Sequence, residues 1–284
     1  MRYLILNADD CGYCPEETRA VSDLMTNGLI TSTTLLTVAE DSENAAKMLA
    51  SGGFTSGIHL AVTCDDEEHR WKPFSPALSL SDEKGLFVSG DKRITHARRS
   101  DVREELEAQY RWMTARGCFP DHADAHSMTL YGLNGRRFFL DVFDFCEEHQ
   151  LPFRFPRGLH FAEQQLGKSI PAPLRLFVNY VRREAQKRHL LMPDDLSSNP
   201  WNVERIGSLD NLRSYYLNEL ETMGEGVTEM FLHPSYDAPG RGPQWQKRVW
   251  ERQILESGCL IERAKQLDIQ LISWSDFRQM KRGG

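Results

Sequence analysis

The chain opens on a short apolar run, Tyr3-Leu4-Ile5-Leu6, that stops on two adjacent carboxylates, Asp9 and Asp10. A run that is continuous rather than alternating suits a strand buried on both faces, the kind found in sheets covered by helices. Both acids then sit at the strand's C-terminal end. In α/β sheets that edge is where ligands bind, and a carboxylate pair there can serve as metal ligand and base. Capping of the helix that begins after them is the competing reading, and on these residues alone the two weigh equally.

The rest of the first hundred residues repeats a βα rhythm. Pro15 opens a helix carrying Ala20, Val21, Leu24 and Met25, and Gly28 closes it. Residues 29–38 read as a second strand, 45–49 as a short helix, and 55–62 as a third strand with His59 in it or at its end. Residues 64–99, rich in Asp, Glu, Pro, Ser and Gly (Asp66, Glu67 and Gly90 among them), interrupt the pattern. A loop that long inside a compact domain reads as a lid over a site or as a solvated excursion.

A helix resumes with Asp101 and Glu104 at capping-box spacing, Val102, Leu106, Tyr110 and Met113 on one face, and Gly117 as terminator. Next comes Asp121-His122-Ala123-Asp124-Ala125-His126, in which His122, Asp124 and His126 alternate and project to one face of a strand. An exposed edge strand would tolerate them; a core would not. Helix follows over 136–148, with Phe138, Phe139, Val142, Phe143 and Cys146 as packing residues, then a strand near 152–155. The 157–200 stretch holds a basic helix over 174–189 whose Arg182, Arg183, Lys187 and Arg188 read as solvated surface. Asp210 caps a helix with Leu212, Tyr216, Leu220 and Met223, ended by Gly224. An apolar strand then ends on His233-Pro234, one long amphipathic helix covers 244–266, and 269–274 is the last strand.

Composition narrows the function classes. The 284 residues are 40% hydrophobic and 26% charged with a net charge of −7, and there is no Lys/Arg block, so nucleic acid is excluded as the expected partner. No segment has the roughly 20 apolar residues of a membrane span, which points to a cytoplasmic protein without membrane contact. Six cysteines, at 11, 14, 64, 118, 146 and 259, are too sparse for a disulfide framework. Cys11 and Cys14 form a lone C-x-x-C without the second pair of a zinc ribbon. The long C-terminal helix and the aromatic content are compatible with a homodimer.

Strand ends therefore carry Asp9 and Asp10, His59, the His122/Asp124/His126 set, and His233. Two histidines and one carboxylate make a common open metal site, and no single interval between them is diagnostic. Convergence at one sheet edge is the argument.

Five blocks in order, Asn7-Ala8-Asp9-Asp10-x-Gly12, Gly28-Leu29-Ile30-Thr31-Ser32-Thr33-Thr34, Gly57-Ile58-His59-Leu60, His122-x-Asp124-x-His126 and Leu232-His233-Pro234, resemble the signatures of the YdjC-like (ChbG-type) carbohydrate deacetylases. Arg248 and Glu251 before Leu255 are similar to that family's C-terminal pattern. The resemblance implies a distorted (β/α) TIM-like barrel, one α/β domain over 1–284 with lid insertions near 64–99 and 157–200. It implies metal-dependent hydrolysis of the N-acetyl group of an N-acetylglucosamine-containing oligosaccharide, such as a chitooligosaccharide, diacetylchitobiose or a phosphorylated relative, releasing acetate. Carried over by position, Asp10, His59 and His126 would hold one divalent ion, zinc or magnesium, with manganese or cobalt as further choices. Asp9 would be the general base and His233 the general acid, with His122 and Asp124 orienting the ligands. Cys11 stands where the family usually has Phe, a packing change, and Ser127-Met128-Thr129 replaces further histidines that often follow His126, which bears on substrate contacts. A hydrolase of another bond, such as a phosphoester, and a non-catalytic sugar-binding barrel are the alternatives; a pure binder would not need Asp9 and His233. Trp71, Trp201 and Trp245 read as sugar-stacking platforms or as packing.

Overall fold

The computed structural model describes all residues except 66, 67, 90–93, 128, 133–135, 168, 283 and 284, with backbone only for 281 and 282. Asp66, Glu67 and Gly90 of the long loop, and Met128 after His126, lie outside the described residues. Around β1 (Arg2–Cys11) the other strands are β2 (Ser32–Leu35), β3 (Gly57–Leu60), β4 (Ala123–Ala125), β5 (Asp195–Ser197), β6 (Gly226–Leu232) and β7 (Ile269–Leu271). They form one parallel sheet in the order β4-β3-β2-β1-β6-β5.

Why β1 is central follows from its pairing. β6 runs along one side of it from Arg2↔Gly226 to Ala8↔Leu232. On the other side β7 pairs with Arg2, Tyr3 and Leu4, and β2 takes over from Asn7 onward. Leu4, Ile5 and Leu6 are consequently inaccessible to solvent, as a continuous apolar run requires. The sheet curls. Beyond β4 a bridge joins Ala123 to Phe153, and Phe153 N–H donates to Leu191 O at 3.0 Å just ahead of β5, so the expected strand near 152–155 is a short rung spanning the open side. The 157–200 stretch supplies β5 as well as two helices.

The covering helices are α1 (Pro15–Thr26), α2 (Ser42–Gly52), α3 (Arg99–Thr114), α4 (Phe139–Glu148), α5 (His160–Leu166), α6 (Ala172–Lys187), α7 (Val203–Ile206), α8 (Leu209–Thr222), α9 (Gln246–Glu256), α10 (Cys259–Gln266) and α11 (Trp274–Arg282). Pro15 sits in the first turn of α1, where its missing N–H costs nothing. Phe138, Phe139, Val142, Phe143 and Cys146 are all buried. Four expectations are corrected. The helix expected over 244–266 is two, α9 and α10, because Gly258 adopts a left-handed φ of 71° that an α-helix cannot continue through. Ser208, not Asp210, caps α8, its hydroxyl accepting from Asn211 N–H at 3.2 Å, while Asp210 pairs with Arg213. Asp101 makes no capping box; its carboxylate instead accepts from the Ser79 N–H and hydroxyl at 3.0 and 2.8 Å, tying the long loop to α3. Trp274 opens α11 rather than ending the last strand.

All six cysteines are free. Burial raises the Cys11 thiol strongly and pushes Cys14 up to about 12, which leaves the C-x-x-C without reactive thiolate. Among the described residues no helix is long and apolar enough to cross a membrane.

Candidate metal centre

The site begins with an irregularity in β1. Ala8 pairs with Thr33 but Cys11 pairs with Leu35, so three steps on β1 match two on β2. The extra residue is a bulge, and Asp10 takes a left-handed φ of 63° there, a conformation Asp tolerates better than most side chains. In a regular strand Asp9 and Asp10 would face opposite sides. Here both belong to groups of carboxylate and imidazole atoms that share His59.

Three elements converge on Asp10. Its Oδ1 lies 3.1 Å from His59 Nε2, carried by β3, and 3.0 Å from His126 Nδ1, which follows β4. Ligands at about 2.0–2.1 Å from a divalent ion stand roughly 3 Å apart, so one carboxylate oxygen and two imidazole nitrogens at these separations fit such an ion. The outer nitrogens are also held: His59 Nδ1 is 2.7 Å from Asp124 Oδ1, and His126 Nε2 is 2.7 Å from Asp65 Oδ1. Burial alone would lower both imidazole pKa values. Asp124 and Asp10 outweigh it at His59 and raise it to about 10, and Asp65 and Asp10 raise His126 to about 9. Ring protons thus occupy the place where a cation would balance the carboxylates.

Two arginines frame the acids, Arg154 buried and Arg248 half-buried. Arg154 Nη1 and Nη2 lie 2.6 and 2.7 Å from the two oxygens of Asp9; the same guanidinium holds both oxygens of Glu229 at 2.8 Å and sits 2.7 Å from Asp124 Oδ2. Burial would raise the Asp9 pKa, but Arg154, with His59 and His233, brings it down to about 2. Asn7 also donates to Asp9 Oδ1 at 2.7 Å. Arg248 donates to Asp10 Oδ2 at 2.8 Å and pairs with buried Glu17. Asp10 is held well below the usual carboxylate range, Arg248 and His126 overcoming its burial.

His233 follows β6, with Nε2 3.8 Å from Asp9 Oδ2. Its backbone N–H donates to Glu251 at 2.7 Å, and Glu251 in turn accepts from Tyr216. Burial lowers the His233 pKa, which keeps the ring neutral at neutral pH. Asp124 touches the cluster through His59, whereas His122, two residues earlier, pairs with Asp121 at 2.6 Å and stacks on Trp274 at 4.4 Å. Trp71 is buried edge-on against His126 at 5.1 Å, and Trp201 packs on Tyr215. Trp245 lines a cavity of about 250 Å³ with Tyr13, His69, Arg241 and Arg248, the last of which reaches Asp10. Another cavity, about 270 Å³ between β5 and α8, involves none of these ligands.

Sequence reasoning gave no role to Arg154, Glu229, Asp65 or Glu17. Arg154 had a signal, as the one charge among aromatics and prolines in Pro152-Phe153-Arg154-Phe155-Pro156, and Glu229 is the lone acid in the apolar run of β6. Asp65 had none, lying among several acids of a loop.

A curled parallel sheet with a buried carboxylate and two imidazoles at the C-terminal ends of its strands defines a (β/α) barrel with a candidate mononuclear metal centre. The family model described as YdjC-like protein matches residues 3–266, and the chain belongs to that family. It is 27% identical to a carbohydrate deacetylase of Geobacillus stearothermophilus, covering 98% of this chain and 99% of that one. A chitooligosaccharide deacetylase of Proteus mirabilis strain HI4320 is 26% identical over 96% of this chain and 98% of its own. In fold it is similar to the crystal structure of an Enterococcus faecalis V583 protein provisionally described as a cellobiose-phosphate cleavage protein, with a TM-score of 0.77 at 23% identity, covering 97% and 98% of the two chains.

Proposed function

We propose that this chain is a metal-dependent carbohydrate N-deacetylase that hydrolyses the acetamide of an N-acetylglucosamine-containing oligosaccharide and releases acetate. The observation that carries the reading is that Asp9, grouped with the same His59 as the buried Asp10, His59 and His126 cluster, lies 3.8 Å from His233. The names of its full-length relatives point the same way. Asp10, His59 and His126 would hold one divalent ion, zinc on the donor set alone, with magnesium, manganese or cobalt as further choices. When bound, the ion supplies polarisation of the acetamide carbonyl and a lowered pKa for water.

The chain's own groups do the rest. Asp9, charged and fixed by the Arg154 fork, orients the attacking water and draws its proton through Oδ2. His233, neutral at rest, receives that proton at Nε2 and delivers it to the sugar nitrogen, which leaves poorly as an unprotonated amine. Glu251 fixes the backbone from which His233 projects. The cavity faced by Tyr13 and Trp245 offers aromatic surface for a sugar ring, and Glu68 and His69 bring the 64–99 loop to its rim as a lid.

The test is acetate release from N-acetylglucosamine, diacetylchitobiose, longer chitooligosaccharides and their 6-phosphates, with chelator-treated protein and with zinc, magnesium, cobalt or manganese restored. Metal-dependent acetate from one class is expected. Stoichiometric metal without acetate from any of them overturns the reading, and a phosphoester panel then separates another hydrolase from a sugar-binding barrel.

A further inference from the structure

We propose that Asp65 is a positioning residue for His126, fixing which imidazole nitrogen is presented to a metal ion. The proposal rests on the reading of Asp10, His59 and His126 as ligands, and adds a group outside that set. Each imidazole is held between two carboxylates: Asp10 Oδ1 on the inner side of both, Asp124 on the outer nitrogen of His59, and Asp65 on the outer nitrogen of His126, both outer contacts at 2.7 Å. An ion among Asp10 and the two inner nitrogens would take their lone pairs, and the outer carboxylates, which only accept, would then hold the remaining N–H of each ring. The rings enter the cluster by opposite atoms, His59 by Nε2 and His126 by Nδ1. Asp65, by occupying Nε2, leaves Nδ1 of His126 turned to Asp10.

The two outer carboxylates differ in anchorage. Asp124 lies in β4, solvent-inaccessible and in contact with Arg154, whereas the Asp65 side chain is 35% exposed and belongs to the loop that leaves β3. That loop reaches His126 a second time through Trp71, edge-on at 5.1 Å, and Trp71 O accepts from Phe87 N–H at 2.8 Å. One of the two imidazoles therefore takes its ring orientation from a loop, while the other takes it from the sheet. Ligand-orienting carboxylates of this kind are worth about 10-fold to 100-fold in metal affinity.

The experiment measures zinc affinity of the full chain by competition with a chromophoric chelator, for wild type, Asp65→Asn and Asp65→Glu, with the melting temperature of each metal-free protein. Asparagine can donate to Nε2 and so drive the proton to Nδ1, the wrong tautomer. Asp65→Asn should weaken zinc by about 10-fold to 100-fold while the metal-free protein stays folded, and Asp65→Glu should recover most of the loss. Nitrogen-15 NMR of the zinc-loaded protein should show the His126 proton held on Nε2 in wild type and that signal weakened by exchange in Asp65→Asn. A zinc affinity within twofold of wild type for Asp65→Asn, or equal losses for Asn and Glu, overturns the proposal. Because binding is read without turnover, wild-type protein that binds zinc through Asp10 yet releases no acetate would sink the deacetylase reading and leave Asp65 in place.

Discussion

Arg154 grips Asp9 with both terminal nitrogens, at 2.6 and 2.7 Å, and is itself enclosed by Glu229 and Asp124. A buried guanidinium serving three carboxylates sets the position of Asp9 and holds it ionised. Lysine keeps the charge but cannot form the fork. Arg154→Lys should therefore retain metal while kcat falls on the order of 10²-fold through misplacement of Asp9. Arg154→Ala leaves buried carboxylates unpaired and should cost about 3–5 kcal/mol, read by denaturant unfolding. A Lys variant with wild-type kcat would show that Asp9 needs only charge compensation.

On the proposed mechanism Asp9 and His233 divide the proton handling by their environments. Asp9→Asn should bind metal normally and lose roughly 10²-fold to 10⁴-fold in acetate release, and His233→Ala should fall within the same range with little loss of metal. Unchanged rates in either variant remove that residue from the reaction. Metal content, measured by atomic absorption, separates these variants from Asp10→Ala, which should lose the ion.

Gly57 shows how tightly the strand carrying His59 is fitted. A Cβ at this position would run into the His122 ring, and that ring is stacked on Trp274 at 4.4 Å with interplanar angle 8°, so it cannot retreat. Gly57→Ala should destabilise the fold by about 1–3 kcal/mol, the usual range for overpacking, and lower metal affinity through displacement of β3. Thermal melting of the metal-free variant checks the first part; an unchanged midpoint would mean that His122 has room to move.

How much of this was legible in the chain depends on what kind of signal each part leaves. β1, the βα rhythm and the ionisable residues at strand ends are local patterns of hydrophobicity, and the structure brings Asp9, Asp10, His59, Asp124, His126 and His233 to one edge. The bulge at Asp10 left no trace, since the usual marker is glycine and Asp tolerates the same φ. The Arg154 network was hidden for another reason: Asp9, Asp124 and Glu229 are far apart in sequence, and only the curl of the sheet assembles them. The break at Gly258 was visible as a glycine, but the amphipathic period runs on through it from α9 into α10, so periodicity outvoted it.

On the proposed ligand set, protons and metal would compete for the same atoms, and the sign of that competition follows from the raised pKa values of His59, about 10, and His126, about 9. Both exceed the ordinary value of 6.5. In metal-free protein the imidazolium charges therefore contribute stability that is fully present below 6.5 and is lost as pH rises through 9 to 10. A metal ligand must be a neutral imidazole, so loading at neutral pH has to expel both protons. Apparent affinity should then rise with pH, by up to about 100-fold per unit for two protons. Calorimetric titration of chelator-treated protein with zinc at pH 7, in buffers of different ionisation enthalpy, should give close to two protons released per ion. The alkaline arm has the opposite direction for metal-free protein, whose melting temperature should drop between pH 7 and 10 while the loaded protein holds. Release of no protons would mean that both imidazoles are already neutral without metal, and that Asp10 faces lone pairs rather than N–H groups.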